Sequence, residues 1–494
     1  MRRSSGVLLH ISSLPSPYGV GTMGKEAREF VDFLVKSGQT YWQILPVCPT
    51  SYGDSPYASY STFAGNPYFI DLDMLADEGL LEKEMYKNVE WGSEPDKVDY
   101  GALYEKRYPI LRQATKRFLE NPSEAYMTFC EKNAFWLDDY ALFMTLKNKN
   151  NGLSWTEWDL VYKNHDKEAL KKVMMDEVEE IGFWKAIQFL FFEQWNDLRS
   201  YANERKIDII GDLPFYVAFD SVDAWAHPEL FQLDENRQPL GVAGCPPDGF
   251  SPTGQLWGNP LYNWEYHENS GYRWWIQRIG YLTNVYNVLR IDHFRAFEAY
   301  FSIPYGAPDA SGGEWKEGPG MKLFNAMNEA IGPQRIIAED LGYITEPLKK
   351  LLSDSGFPGM KILEFAFDTR EASHEDYLPY NYPQHCVAYT GTHDNDTVQG
   401  WFKSARPEDV CFAKEYLHLD NPSDYHWGMM WALWASTAEL AIVQAQDLLG
   451  LGSESRMNTP STMGSNWCWR ALPECFDDEL AMKLGHYTKL YGRN

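Results

Sequence analysis

Short apolar runs recur along this chain, most of them closing on an acid, a glycine or a proline, and the intervals between them are helical or long and irregular. That rhythm is the tightest constraint on the fold. The run GVLLH (6–10) precedes a helical pattern over 25–36, with Ala27, Phe30, Val31 and Leu34 on one face and Gly38 as its stop, and YWQILPV (41–47) follows as a second strand. The β-α-β start feeds a parallel sheet, continued by IDIIGDL (207–213), NVLRID (287–292), RIIAED (335–340), MKILEFAF (360–367) and CVAYTGT (386–392), with a weaker candidate at SRMNT (455–459). Eight such runs predict an α/β chain folded as a (β/α)8 TIM barrel rather than an open sheet. The gap between the second and third strands is too long for one crossover; residues 48–205 read as an inserted, mainly helical subdomain, with Ile187, Leu190, Phe191, Gln194, Leu198 and Ala202 on one helix face. The 494 residues then form one barrel, 1–494, with large insertions.

Composition narrows the function. A net charge of −26 disfavours nucleic acid and anionic lipid as partners, and no window is apolar enough to span a membrane. The seven cysteines are scattered without a C-x-x-C pair and the N-terminal run is broken at His10, which reads as free thiols in a reducing cytoplasm. With 19 Trp and 31 Tyr the chain has rings to spare for a groove that takes a flat, hydroxyl-covered, uncharged ligand.

One motif misleads. Gly19, Gly21 and Gly24 spell G-x-G-x-x-G (GVGTMG), but two prolines separate the strand from the first glycine and no acid stands some 20 residues on, so an ordinary glycine-rich loop is expected in place of a dinucleotide site.

Barrel enzymes carry their chemistry at the C-terminal strand ends. Four acids fall there: Asp212 in GDLPFYV, Asp292 in RIDHF, Glu339 in AEDLG and Asp394 in THDND. Residues i and i+2 of a strand share a face, so Arg290 points with Asp292 and favours its ionised form, and only one of Glu339 and Asp340 faces inward. Inward acids in different environments suggest two-carboxylate glycoside cleavage. Two rivals are weaker: His393, Asp394 and Asp396 could ligate a cation but lack a supporting His-x-His or His-Glu-x-x-His, and no G-x-S-x-G elbow serves a serine hydrolase.

At these residues the sequence resembles the 4-α-glucanotransferases (amylomaltases, disproportionating enzymes) of glycoside hydrolase family 77 in the α-amylase clan. The likeness runs through SSLPSPYGVGTMG, GDSPYASYSTFAGNPYFIDL, GDLPFYV, GCPPDGFSPTGQLWGNPLYNW, LRIDHFRAF, IIAEDLG, GTHDNDT and RMNTPST. It implies Asp292 as nucleophile, Glu339 as general acid/base and Asp394 as transition-state stabiliser. It also implies His293, His393, Tyr57 and Asp212 around the same sugar ring, Trp257, Asn259 and Phe365 on the acceptor side, and an active-site loop over 242–264. No metal or cofactor is called for, and no separate C-terminal β domain. The partners implied are α-1,4-glucans and maltooligosaccharides, with glucose as an acceptor. The chain departs from the pattern at Gly249, where related members often carry an aromatic residue; Phe250 stands beside it. Two other functions compete: an α-1,4-glucan hydrolase, and a non-catalytic glucan-binding protein, for which three acids at strand ends would be unexpected.

Overall fold

The structure is a computed structural model and describes residues 3–247, 251–342, 344–371 and 373–494. Its strands in chain order are β1 Ser4–Leu8, β2 Tyr41–Gln43, β3 Asp208–Leu213, β4 Gly241–Cys245, β5 Gln255–Pro260, β6 Val288–Ile291, β7 Ala299–Pro304, β8 Glu314–Glu317, β9 Ile336–Ala338, β10 Gly359–Ile362, β11 Cys386–Tyr389 and β12 Leu440–Gln444. Eight of them form one parallel sheet in the order β10-β11-β12-β1-β2-β3-β6-β9. The sheet rolls into a barrel, and Ala338 N–H donates to the Pro358 carbonyl across the remaining seam at 2.9 Å. Strands covered on both faces need apolar residues throughout, and β1 and β12 are buried at every position.

Helix Lys25–Lys36 forms as its spacing predicts: Ala27, Phe30, Val31 and Leu34 are buried, and Gly38 turns the chain at φ +71°. The eighth strand does not lie at 455–459. It is Leu440–Gln444, while Ser453–Ser455 is a short 3-10 helix. Only four residues separate the apolar helix Tyr425–Ala435 from LAIVQ, so the sequence shows no change of period there. MKILEFAF likewise leaves the strand at Ile362 and becomes a 3-10 helix over Leu363–Phe367.

Between β2 and β3 the long helices are Tyr100–Glu120, Glu124–Lys149 and Val178–Glu204. On the last, Ile187, Leu190, Phe191, Gln194, Leu198 and Ala202 are all buried. Two of its glutamines act as backbone mimics. Gln188 accepts from Gly65 N–H and donates to the Gly65 carbonyl (2.7 and 2.9 Å), and Gln194 does the same with Asp71 (2.6 and 3.1 Å). These pairs satisfy buried amides in a segment with no sheet partner and fix it to the helix.

A second, antiparallel sheet of four strands, β5-β4-β7-β8, stands at the barrel mouth over a small core of Val242, Phe301, Ile303 and Ala310. Its strands β4 and β5 take 242–245 and 255–260 of the 242–264 segment. At the opposite end two arginines tie the chain together. Arg493 is fully buried and donates to the carbonyls of Ser4, Leu433, Trp434, Ser436 and Ala438, and Arg3 donates to those of Trp434, Ser436 and Tyr491. The GVGTMG loop packs on protein: a Cβ at Gly21 would lie 1.8 Å from the Ile11 carbonyl, and one at Gly24 2.2 Å from Asp71 Oδ2. Its glycines serve close approach within the fold. Among the described residues no helix is long and apolar enough to cross a membrane.

Candidate active site

The barrel register sets the acids. β3 and β6 pair Asp212 with Arg290, so both side chains share one face, and Asp292 follows directly after β6. Arg290 donates through Nη1 to Asp212 Oδ2 at 2.6 Å and through Nη2 to Asp292 Oδ1 at 3.0 Å. Tyr57 donates its hydroxyl to the same Asp212 oxygen at 2.7 Å. Burial pulls the Arg290 guanidinium down, and the Asp212 and Asp292 carboxylates more than offset it and hold it charged. Burial and the nearby Asp212, Glu339 and Asp394 push the Asp292 carboxyl above the usual carboxylate range, against the pull of Arg290. Its side chain keeps 28% of its surface open to the cleft, where Arg290 and Asp212 are sealed off behind it.

Glu339 stands at the end of β9. Its own N–H donates to Ile291 and its carbonyl accepts from Phe294, stitching the turn after β6 to the turn after β9. His293 sits in the left-handed region at φ 50°, a conformation costly for a non-glycine residue, and from there its N–H donates to Glu339 Oε2 at 2.7 Å. Leu341 N–H donates to Oε1 at 2.8 Å. Burial raises the Glu339 carboxyl, opposed by Arg290 and these two amides. Asp340 turns to the neighbouring strand and accepts from Met360 N–H at 2.7 Å.

The third acid sits on the loop after β11. Asp394 accepts from Asn458 Nδ2 at 2.6 Å, its carbonyl accepts from Arg456 at 2.6 Å, and His393 Nε2 lies 3.4 Å from its other oxygen. His393 stacks on the Tyr57 ring at 5.1 Å and is buried, which lowers its pKa; burial likewise pushes His293 down to about 3. Both rings are neutral at pH 7. Asp396 faces Ser453 and Thr397 instead of the cleft, so His393, Asp394 and Asp396 do not converge as the ligand set that the metal reading needs.

These groups open on a cleft of about 710 Å³. Of the residues named from the sequence, Asp292, His293, Asp394, His393, Tyr57, Trp257 and Asn259 line it, with Arg290 and Asp212 buried behind that surface and Glu339 half-buried beside His293. Trp257, on the β4–β5 hairpin, meets His293 edge-on at 5.0 Å, and Asn259 donates to the Val217 carbonyl at 2.9 Å. Phe365 lies off the cleft lining, its ring edge-on to Tyr377 at 5.4 Å. Gly249 and Phe250 fall outside the described residues. Sequence reasoning missed Asn458, Arg456, Tyr216 and Trp467. The signal for the first two was present in RMNTPST, an arginine and an amide two apart in a segment rich in turn formers; Trp467 had only its place among small polar residues.

Comparison with known proteins gives the family. The family model for 4-alpha-glucanotransferase matches residues 9–474. The chain is 50% identical to the 4-alpha-glucanotransferase of Clostridium butyricum over 98% of this chain and 100% of that protein, and 47% identical to that of Thermus thermophilus over 98% and 97%. Its fold superposes on an amylomaltase from Streptococcus agalactiae, solved in complex with acarbose, with a TM-score of 0.97 and 43% identity over the whole of both chains. A closed parallel barrel, carboxyl groups at the ends of successive strands and this degree of identity along the full length lead to one conclusion: the chain belongs to the 4-alpha-glucanotransferase family, glycoside hydrolase family 77.

Proposed function

We propose that the cleft cleaves an α-1,4-glucan with retention and passes the glycosyl unit to the 4-hydroxyl of glucose or another glucan. The observation that carries this reading is the pairing of Arg290 with Asp292 at the open cleft beside a Glu339 held by two backbone amides. Asp292 Oδ1 is occupied by Arg290, so Oδ2 attacks the anomeric carbon and forms a glycosyl ester. Glu339, its carboxyl raised by desolvation, gives a proton to the departing O4; the acceptor's hydroxyl later returns a proton to Glu339 as its oxygen displaces Asp292. Asp394, fixed by Asn458, grips the sugar hydroxyls as charge develops, and the neutral His293 and His393 hydrogen-bond the same ring. No step calls on a metal or cofactor. The free cysteines fit a cytoplasmic location.

Transfer must outrun water. A bound acceptor held in line gains an effective molarity of up to roughly 10⁵ M or more over a freely diffusing one. Trp257 and the β4–β5 hairpin form the wall that holds it. Incubation with maltotriose tests the reading: longer oligomers plus glucose are expected, only shorter sugars would make the protein a hydrolase, and no change would leave a binding protein. Trp257→Ala should raise the ratio of hydrolysis to transfer.

A further inference from the structure

The loop that carries His393 and Asp394 runs from Thr390, just past β11, to Val398, the first residue of helix Val398–Ser404. Its tip is gripped from the cleft side by Arg456 and Asn458, and Asn458 N–H also donates to the His393 carbonyl at 3.1 Å. Both of its ends are held by a residue of the short helix Ala445–Leu448 that follows β12. Asp447, three residues past β12 and fully buried, accepts from the Thr390 hydroxyl through Oδ2 at 2.6 Å and from Val398 N–H through Oδ1 at 2.7 Å. One carboxylate therefore bridges the entry and the exit of the loop.

The space beneath the loop is already filled. Glu364 is buried under Gly391, where an added Cβ would come within 3.4 Å of its carboxyl carbon and 3.0 Å of Gln444 Nε2. The loop cannot sink to recover a lost anchor without pressing on buried polar groups.

We propose that Asp447 is a positioning residue for the transfer reaction: by bridging Thr390 and Val398 it sets the height and tilt of Asp394 over the cleft. The proposal rests on the reading of Asp394 as a group that touches the sugar in the transition state. Asp447 itself touches no substrate; it lies behind the loop and outside the cleft lining. Its effect falls on kcat, because ground-state binding is spread along the cleft while the Asp394 contact tightens as charge develops.

Steady-state kinetics on five variants test it. Asp447→Ala should lower kcat by about 100-fold, the scale of a misplaced reacting group, with KM little changed. Asp447→Asn keeps both anchors, its carbonyl on Val398 N–H and its amide donating to the Thr390 hydroxyl, and should restore kcat to within about tenfold of the parent. Thr390→Val removes one anchor without touching Asp447 and should cost an intermediate factor; it also serves if Asp447→Ala fails to fold. In an Asp394→Ala background, Asp447→Ala should cost less than about twofold more, since the residue acts through one already removed. Factors that multiply in the double variant, an Asp447→Asn as damaged as Asp447→Ala, or full activity in both Asp447→Ala and Thr390→Val would overturn the proposal. Asp394→Ala alone separates the two readings: if it leaves kcat intact, the role of Asp394 fails whatever Asp447 does.

Discussion

At the scale of single residues, Arg290 decides how the site titrates. It is the cation that Asp212 and Asp292 share, and burial raises the Asp292 carboxyl against its pull. Arg290→Met would raise the Asp292 pKa further. A nucleophile must be ionised, so the acid limb of kcat/KM should move to higher pH in this variant; an unmoved limb would mean that Arg290 does not control the attacking group. The chemical roles can be read separately. Asp292→Asn removes the nucleophile and Glu339→Gln the proton donor, and each should lower the rate by several orders of magnitude while thermal unfolding stays close to the parent's. More than a tenth of the parent rate in either variant would refute that assignment.

At the scale of elements, two glutamines substitute for a missing strand. Gln188→Leu would strand the Gly65 N–H and carbonyl without partners, at about 1–3 kcal/mol for each buried group, so urea unfolding should show a loss of that order. A loss below about 0.5 kcal/mol would mean the loop finds other partners. The same level shows what a sequence discloses. β1 and β3, and the helix Lys25–Lys36, were legible because apolar residues and a glycine stop announce them locally. Leu440–Gln444 was hidden by the apolar helix that precedes it, and the sheet at the barrel mouth because strands such as QLWGNP and EWKE mix Gly, Pro and charge like a loop. Asp292, Glu339 and Asp394 stood out as acids at the ends of apolar runs. The hold of Asn458 on Asp394 spans 64 residues and no local pattern encodes it.

At the scale of the whole molecule, buried histidines set part of its response to acid. His267 is packed among Tyr262, Trp264 and Trp274 with Nε2 3.1 Å from the Leu230 carbonyl, and burial pushes it down to about 4. The unfolded chain takes up a proton near pH 6.5 that the folded one refuses until about pH 4. Its contribution is therefore whole above pH 6.5 and falls away as pH drops toward 4, by up to about 1.4 kcal/mol per pH unit. Buried carboxyls such as Asp447, raised to about 6, act in the opposite sense, so the test is a difference. The stability of the parent relative to His267→Gln, from urea unfolding at pH 7, 6 and 5, should shrink steadily; a constant gap would place the ring in contact with solvent. The closure of the barrel reaches further. β1 pairs with β2 within its first 43 residues, but its other edge meets β12 only at Leu440, and Arg493 then laces Ser4 to the carbonyls around Ser436. On a ribosome moving at roughly 5–20 residues per second, that edge waits for about 20 to 90 s. Nascent chains stalled short of residue 440 should be cut rapidly by protease and bind chaperones along β1, whereas released chains resist: the first strand made is the last to be secured.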